Sequence, residues 1–373
     1  MRISQIRNYL ATISPERSIL ILGPPGIGKS ESVRDFAVEE AERMGLKFFM
    51  YDDTADIGED AYVYVDLRLT EMEPSDLIGI PRDADGYVAY KPLRWAAVLA
   101  HAKAGMLFLD ELTNISRPDL LAATYKIVLD RRVGFIKLPP SIRIIAAGNR
   151  PEESAVANLL PSPLVSRFHV VFVEPPSVSE WVEYMQTRYP EYDRRIAAYL
   201  NRFPEDFIRL PGEGETLSPY PVPRTWTWLA NELPVTPDEY VEAKCIGYLG
   251  PEVGSRLSAF LRIQVDDPEE LLNNPAKFTK YDLDKKWLAI SLLATYARAA
   301  YTKRFEDFVR FLNIVAEESL EFVSVFYTLV PYELKAFTVK TLSDQNLLRK
   351  HEVAKLQRTL MKISSTLLNI KPI

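Results

Sequence analysis

The residues with the clearest chemistry are Gly23-Pro24-Pro25-Gly26-Ile27-Gly28-Lys29-Ser30, which satisfy G-x-x-x-x-G-K-[ST] at every fixed position. Gly23, Gly26 and Gly28 let the backbone curl with its N–H groups pointing inward, a nest for phosphate oxygens. Lys29 can reach the β- and γ-phosphates of a nucleotide, and the Ser30 hydroxyl is a hard oxygen ligand suited to Mg²⁺. A helix starting near Lys29 adds the positive end of its dipole. A plain Gly/Pro turn would also read this way, but the apolar run Ile19–Leu22 before it and the amphipathic stretch 30–44 after it favour a phosphate loop.

A second chemical signal is Met106-Leu107-Phe108-Leu109-Asp110-Glu111, an apolar strand ending in two carboxylates. Strand ends are where α/β sheets place ligands. Asp110 suits the shell of a Mg²⁺ ion, usually through water, and Glu111 suits polarising an attacking water. Asn149 follows the apolar run Ile142–Ala146 and either orients that water through its amide or serves as a turn residue. Arg224, near a helix start at Pro223, is a candidate phosphate contact or a surface cation.

These groups need a scaffold. Apolar runs at 19–22, 63–67, 106–111, 142–146 and 169–173 predict five strands, alternating with helical patterns at 1–17, 30–44, after Pro92 (with Trp95, Val98 and Leu99 on one face), 118–130 and 161–167. Such alternation implies a parallel sheet covered on both faces. Residues 45–62 read as a polar loop with the acidic pairs Asp52-Asp53 and Glu59-Asp60. A helix start with Ser75 as N-cap is interrupted by the turn Arg82–Gly86 between extended pieces, and Arg131–Leu138 is a hairpin candidate. After Glu174-Pro175-Pro176 the strand signals stop. Helical patterns then occupy 177–203, 237–262, 282–301, 304–314, 316–331 and 344–368, with a Pro/Gly-rich loop at 210–223 and an expected linker at 265–281. The expected division is an α/β nucleotide-binding domain over 1–175, a helical domain over 176–264 and a helical extension over 265–373.

Composition bounds the function. With 373 residues, 47% hydrophobic and 26% charged, the chain has the make-up of a globular protein of two or three domains. A net charge of −6 argues against a general nucleic-acid coat, though not against a local basic channel. The single cysteine, Cys245, forms no intrachain disulfide, and His101, His169 and His351 are scattered, so no metal-ligand spacing exists. With no run long enough to span a bilayer and no signal-peptide core at the N-terminus, the chain reads as cytoplasmic.

Taken in order, these segments resemble the AAA+ ATPases, most closely the MoxR-type group of the helix-2-insert clade, up to about residue 230. GPPGIGKS looks like Walker A, LFLDE like Walker B, and AAGN like the segment carrying sensor 1 at Asn149. SRF resembles the arginine-finger segment at Arg167, with SRF where many relatives have DRF, and PVPRTW the sensor 2 segment at Arg224. Arg131, Arg132, Arg143 and Arg150 compete for these two roles. Residues 80–91 look like the helix-2 insert and 131–140 like the pre-sensor-1 hairpin. The resemblance implies a five-stranded parallel P-loop AAA+ core followed by an all-helical lid and a helical C-terminal extension. It implies ATP and Mg²⁺ as ligands and a ring, usually a hexamer, in which the finger serves the neighbouring subunit. It places Tyr87, Tyr90, Phe135 and Lys137 toward substrate, unless these hairpins pack on a neighbouring subunit. The expected role is a chaperone-like ATPase acting on protein complexes, often with a von Willebrand factor A domain partner. A DNA-processing motor of the same clade is the alternative.

Overall fold

The computed structural model describes residues 1–52, 57, 60–154, 157–211, 218–301 and 303–330. The chain divides after Pro176 into two compact units. The first runs α1 (Ile6–Leu10), β1 (Ile19–Leu22), α2 (Lys29–Arg43), β2 (Lys47–Met50), β3 (Ala61–Arg68), α3 (Ser75–Ile78), β4 (Ile80–Ala84) and β5 (Tyr87–Lys91). It continues with α4 (Arg94–His101), β6 (Ala104–Asp110), α5 (Pro118–Asp130), β7 (Arg132–Val133), β8 (Ile136–Lys137), β9 (Ile142–Gly148), α6 (Ser162–Val165) and β10 (His169–Phe172).

Six strands form one parallel sheet in the order β10-β1-β9-β6-β3-β2. The five expected strands are all present, and β2 is an addition at the edge. It lies in the stretch read as a polar loop, because an edge strand of four residues, none of them buried, carries too little apolar pattern to stand out. The inner strands β1, β6 and β9 are buried along almost their whole length, as expected where helices cover both faces. Alternation sends Tyr62, Tyr64, Met106 and Phe108 toward Val33, Phe36 and Ala37 of α2. Val63, Val65, Leu107 and Leu109 go to the other face, in one cluster with Trp95 and Leu99 of α4 and Leu120 and Ile127 of α5. Because the strands are parallel, β1, β6 and β9 all end at the same edge. Leu22 sits opposite Gly148, and Arg68 opposite Asp110.

The two insertions are hairpins, β4 with β5 and β7 with β8. They touch: the ring centres of Tyr90 and Phe135 lie 5.6 Å apart, and beside them a Cβ at Gly134 would strike the Ile78 carbonyl oxygen at the end of α3. Ser75 does not cap its helix. It is the first helical residue, and Asp76 instead accepts from the Glu73 N–H. Of the acidic pairs, Asp53 and Glu59 lie outside the described residues.

The second unit is helical: α7 (Val178–Arg188), α8 (Arg194–Arg202), α9 (Pro223–Glu232), α10 (Asp238–Leu249), α11 (Pro251–Leu261), α12 (Pro268–Asn273), α13 (Ala276–Thr279), α14 (Leu283–Ala300), α15 (Phe305–Glu318) and α16 (Leu320–Leu329). Gly250, at φ 81°, splits the pattern expected to run from 237 to 262. The stretch 265–281 is not a linker. Leu271, Leu272 and Phe278 are fully buried, and Phe278 packs edge-on against Phe311 and Phe322. Its Asp-Asp-Pro and Asn-Asn-Pro signals mark the starts of short packed helices, with Asp267 accepting from the Glu269 N–H. One hydrophobic cluster runs from Trp181 to Val330, with Cys245 buried inside it. Burial pushes that thiol up to about 12, away from nucleophilic chemistry. The pattern at 344–368 lies outside the described residues. Among those described, no helix is long and apolar enough to cross a membrane.

Candidate nucleotide site

The loop between β1 and α2 owes its shape to its glycines. Gly26 and Gly28 adopt φ of 72° and 92°, the left-handed region that side chains disfavour. At Gly23 the constraint is space, since a Cβ there would sit 2.5 Å from the Val173 carbonyl oxygen at the end of β10. Ile27 is buried and anchors the loop in the core. Lys29, at the first position of α2, is 9% exposed. Its ammonium donates to the carbonyls of Gly23 and Pro24, both at 2.7 Å, and to Asn149 Oδ1 at 2.8 Å.

One residue along, the Ser30 hydroxyl donates to Asp110 Oδ2 at 2.7 Å, and Asp110 Oδ1 accepts from the Glu111 N–H at 2.9 Å. A hydroxyl and a carboxylate side by side fit Mg²⁺, which keeps waters and phosphate oxygens as its remaining ligands. Among the described residues no group of three or more His, Cys, Asp or Glu forms a closed metal cage. Glu111 has φ 59°, so the chain turns sharply after Asp110. Its Oε2 accepts from the Thr70 hydroxyl at 2.6 Å, and Arg68 Nε lies 3.8 Å from Oε1. Asp66, near the end of β3, has its carboxyl raised to about 6, first by burial and then by the negative charge of Asp110, against the opposing Arg68 and Arg34.

Asn149 follows β9, and its backbone N–H donates to Thr113 Oγ1 at 2.8 Å. Thus side chains from the loop, β6 and β9 meet at one sheet edge. Thr70 and Thr113 were missed in the sequence. Each lies two residues beyond a motif boundary, Arg68 at the end of β3 and Glu111 after β6, and that placement past a strand end is the signal that could have found them.

The arginines separate by environment. Arg167 is exposed and bonds the Pro163 carbonyl of its own turn. Arg224 belongs to the second unit, where its guanidinium lies 5.7 Å from the Trp228 ring centre. Arg143 is a buried partner of Glu40 at 2.7 Å. Arg131 bonds the carbonyls of Glu16, Pro139 and Ile142, and Arg150 pairs with Glu153. Of the competing cations, Arg132 stays exposed on β7.

A parallel sheet with a glycine loop between its first strand and the following helix, and a carboxylate-ended strand beside it, defines a P-loop core of the AAA+ type, here followed by a helical region. Residues 18–168 match the family model described as AAA domain (dynein-related subfamily). No curated protein matches the sequence. Solved structures that align with it include the S. cerevisiae Hsp104–ADP complex, at 16% identity over 97% of this chain and 47% of that one, with a TM-score of 0.36. The chain therefore spans about half the length of the Hsp104 chain. The FIGL-1 AAA domain in complex with ADP aligns at 15% identity over 76% and 85%, with a TM-score of 0.37. NtrX from Brucella abortus in complex with ADP aligns at 15% identity over 96% and 68%, with a TM-score of 0.38.

Proposed function

We propose that the protein hydrolyses ATP and uses the cycle, as a MoxR-type AAA+ ring, to remodel or mature protein complexes. The observation that carries the ATPase reading is the bonded set Lys29–Asn149 and Ser30–Asp110, which joins the glycine loop to two neighbouring strand ends. The loop N–H groups and Lys29 bind the phosphates. Ser30 and Asp110 hold Mg²⁺, which when bound screens the charge on the phosphate oxygens. Glu111 takes the proton of the attacking water, and Asn149 orients that water against the γ-phosphate. Arg167, exposed in the turn after α6, serves the site of an adjacent subunit, and Arg224 acts as sensor 2 from the helical lid. The joined hairpins, with Tyr87 80% and Phe135 69% exposed, meet the protein substrate, together with Tyr90 and Lys137. A von Willebrand factor A domain protein is the expected partner.

Glu111→Gln provides the test. The variant keeps ATP affinity, because a neutral amide removes no phosphate contact, while turnover falls by about 100-fold or more. Rapid hydrolysis by that variant would remove Glu111 from the role. Turnover stimulated by DNA in a salt-dependent way would favour a nucleic-acid motor over the chaperone reading.

A further inference from the structure

Thr113 joins the two catalytic segments through contacts that a generic buried threonine does not make. It lies in the single-turn helix Leu112–Asn114, two residues after Glu111, and is 3% exposed. Its Oγ1 accepts the backbone N–H of Asn149 at 2.8 Å. Its carbonyl accepts the Asn158 N–H at 2.6 Å. Its side chain also fills the space beside Gly148, where a Cβ would meet Thr113 Oγ1 at 2.6 Å and Cγ2 at 2.7 Å. The end of β9 is thus built with a glycine so that this hydroxyl can reach the next N–H.

The consequence runs through Asn149. Its side chain and its N–H belong to one residue, so the bond that pins the backbone also sets where Oδ1 meets Lys29. The same threonine is tied to Glu111 by one intervening residue and by the turn bond from the Asn114 N–H to the Glu111 carbonyl, 2.9 Å. We propose that Thr113 is a positioning residue: its hydroxyl holds Asn149 at a fixed reach from Glu111, so that the two groups facing the attacking water act as one unit. This rests on the ATPase reading above. Thr113 touches no substrate itself. A part-buried N–H left without its acceptor would draw the β9 end toward another partner, and a displacement of about 1 Å at a water-orienting group can lower turnover about 100-fold.

The experiment compares Thr113→Val, Thr113→Ala and Thr113→Ser in the full-length protein, with steady-state ATPase, ATP affinity and thermal unfolding measured on each. Valine and alanine are expected to lower kcat by about 10- to 100-fold with KM within about twofold, and serine, which retains the hydroxyl, to restore most of the loss. In an Asn149→Ala background the Thr113→Ala change should have little further effect, because both act through the same group. Amide hydrogen exchange at Asn149 should also quicken in Thr113→Ala. Normal kcat in Thr113→Ala, failure of serine to rescue, or multiplicative losses with Asn149→Ala would overturn the positioning role while leaving the ATPase reading intact. Absence of turnover in the wild-type protein would overturn both.

Discussion

Lys29 and Asn149, separated by 120 positions in the chain, meet through a 2.8 Å bond from ammonium to amide oxygen. The same ammonium also holds the Gly23 and Pro24 carbonyls. In these three bonds the ammonium is held by neutral oxygens. Lys29→Ala should weaken ATP binding by about 10- to 100-fold, the value of a charge-assisted hydrogen bond. Asn149→Ala should lower kcat more than affinity. Isothermal titration and steady-state kinetics on the two variants distinguish these outcomes, and unchanged affinity in Lys29→Ala would contradict the phosphate role.

Thr70 controls the freedom of Glu111. Its hydroxyl donates to Oε2 at 2.6 Å, stabilising the carboxylate and holding its direction. Thr70→Val removes that donor and leaves a carboxylate freer to reach water, so basal turnover should rise by several-fold, about the size of a lost single hydrogen bond. A fall in basal turnover would instead mean that Thr70 orients Glu111 productively.

The buried pair Arg143–Glu40 holds the sheet to α2. The two side chains are 3% and 9% exposed, with Arg143 also donating to the Ile13 carbonyl and Tyr62 donating to Glu40. Arg143→Met strands a buried carboxylate and should cost about 3–5 kcal/mol, whereas the double change Arg143→Met with Glu40→Leu should recover much of that loss. Urea unfolding of the two variants decides it; equal losses in both would show that the carboxylate is not the source.

Asp66 makes folding sensitive to pH. With its carboxyl raised from 3.8 to about 6, ionisation costs the folded state more than the unfolded chain. Its contribution to stability is fully present below pH 3.8 and is lost as the pH rises through about 6. Asp66→Asn should therefore raise the unfolding temperature above pH 7 and leave it unchanged near pH 4. The carboxyl is only partly withdrawn from water and the residue as a whole stays solvent-accessible, so water weakens the charge effect and the gain should be about 1 kcal/mol or less. A larger benefit at pH 4 than at pH 7 would reverse the sign.

Gly134 lets the β7–β8 turn approach the end of α3, just before β4, because its φ is 56° and a Cβ would strike the Ile78 carbonyl. Gly134→Ala should separate Phe135 from Tyr90 and reduce substrate-stimulated turnover while ATP affinity stays at the wild-type value. Loss of affinity instead would tie the hairpins to nucleotide binding.

Legibility followed the range of the interactions. The eight residues Gly23–Ser30 carry their geometry locally, in glycine torsions and one helix start, and they stand where the pattern places them. The inner strands β1, β3, β6 and β9 were legible because apolar side chains on both faces leave an unbroken run. The edge strand Lys47–Met50 was not, because its support comes from pairing with Ala61–Tyr64 rather than from its own pattern. The stretch 265–281 misled because Asn and Pro mark both loops and helix starts, and only the burial of Leu271, Leu272 and Phe278 separates the two.

By itself the sequence determined that a phosphate-binding loop, a strand ending in Asp110-Glu111 and a polar strand end at Asn149 exist in this order, since each is a short, contiguous pattern. Only the tertiary structure decided which side chains meet. Parallel pairing sets Leu22 opposite Gly148 and Arg68 opposite Asp110, and from that register follow Lys29–Asn149, Ser30–Asp110, Thr70–Glu111 and Thr113–Asn149. It also decided that Arg143 and Arg131 are internal partners rather than free cations. Hydrogen bonds depend on atoms brought within about 3 Å, and residues tens of positions apart reach that distance only once the sheet is assembled.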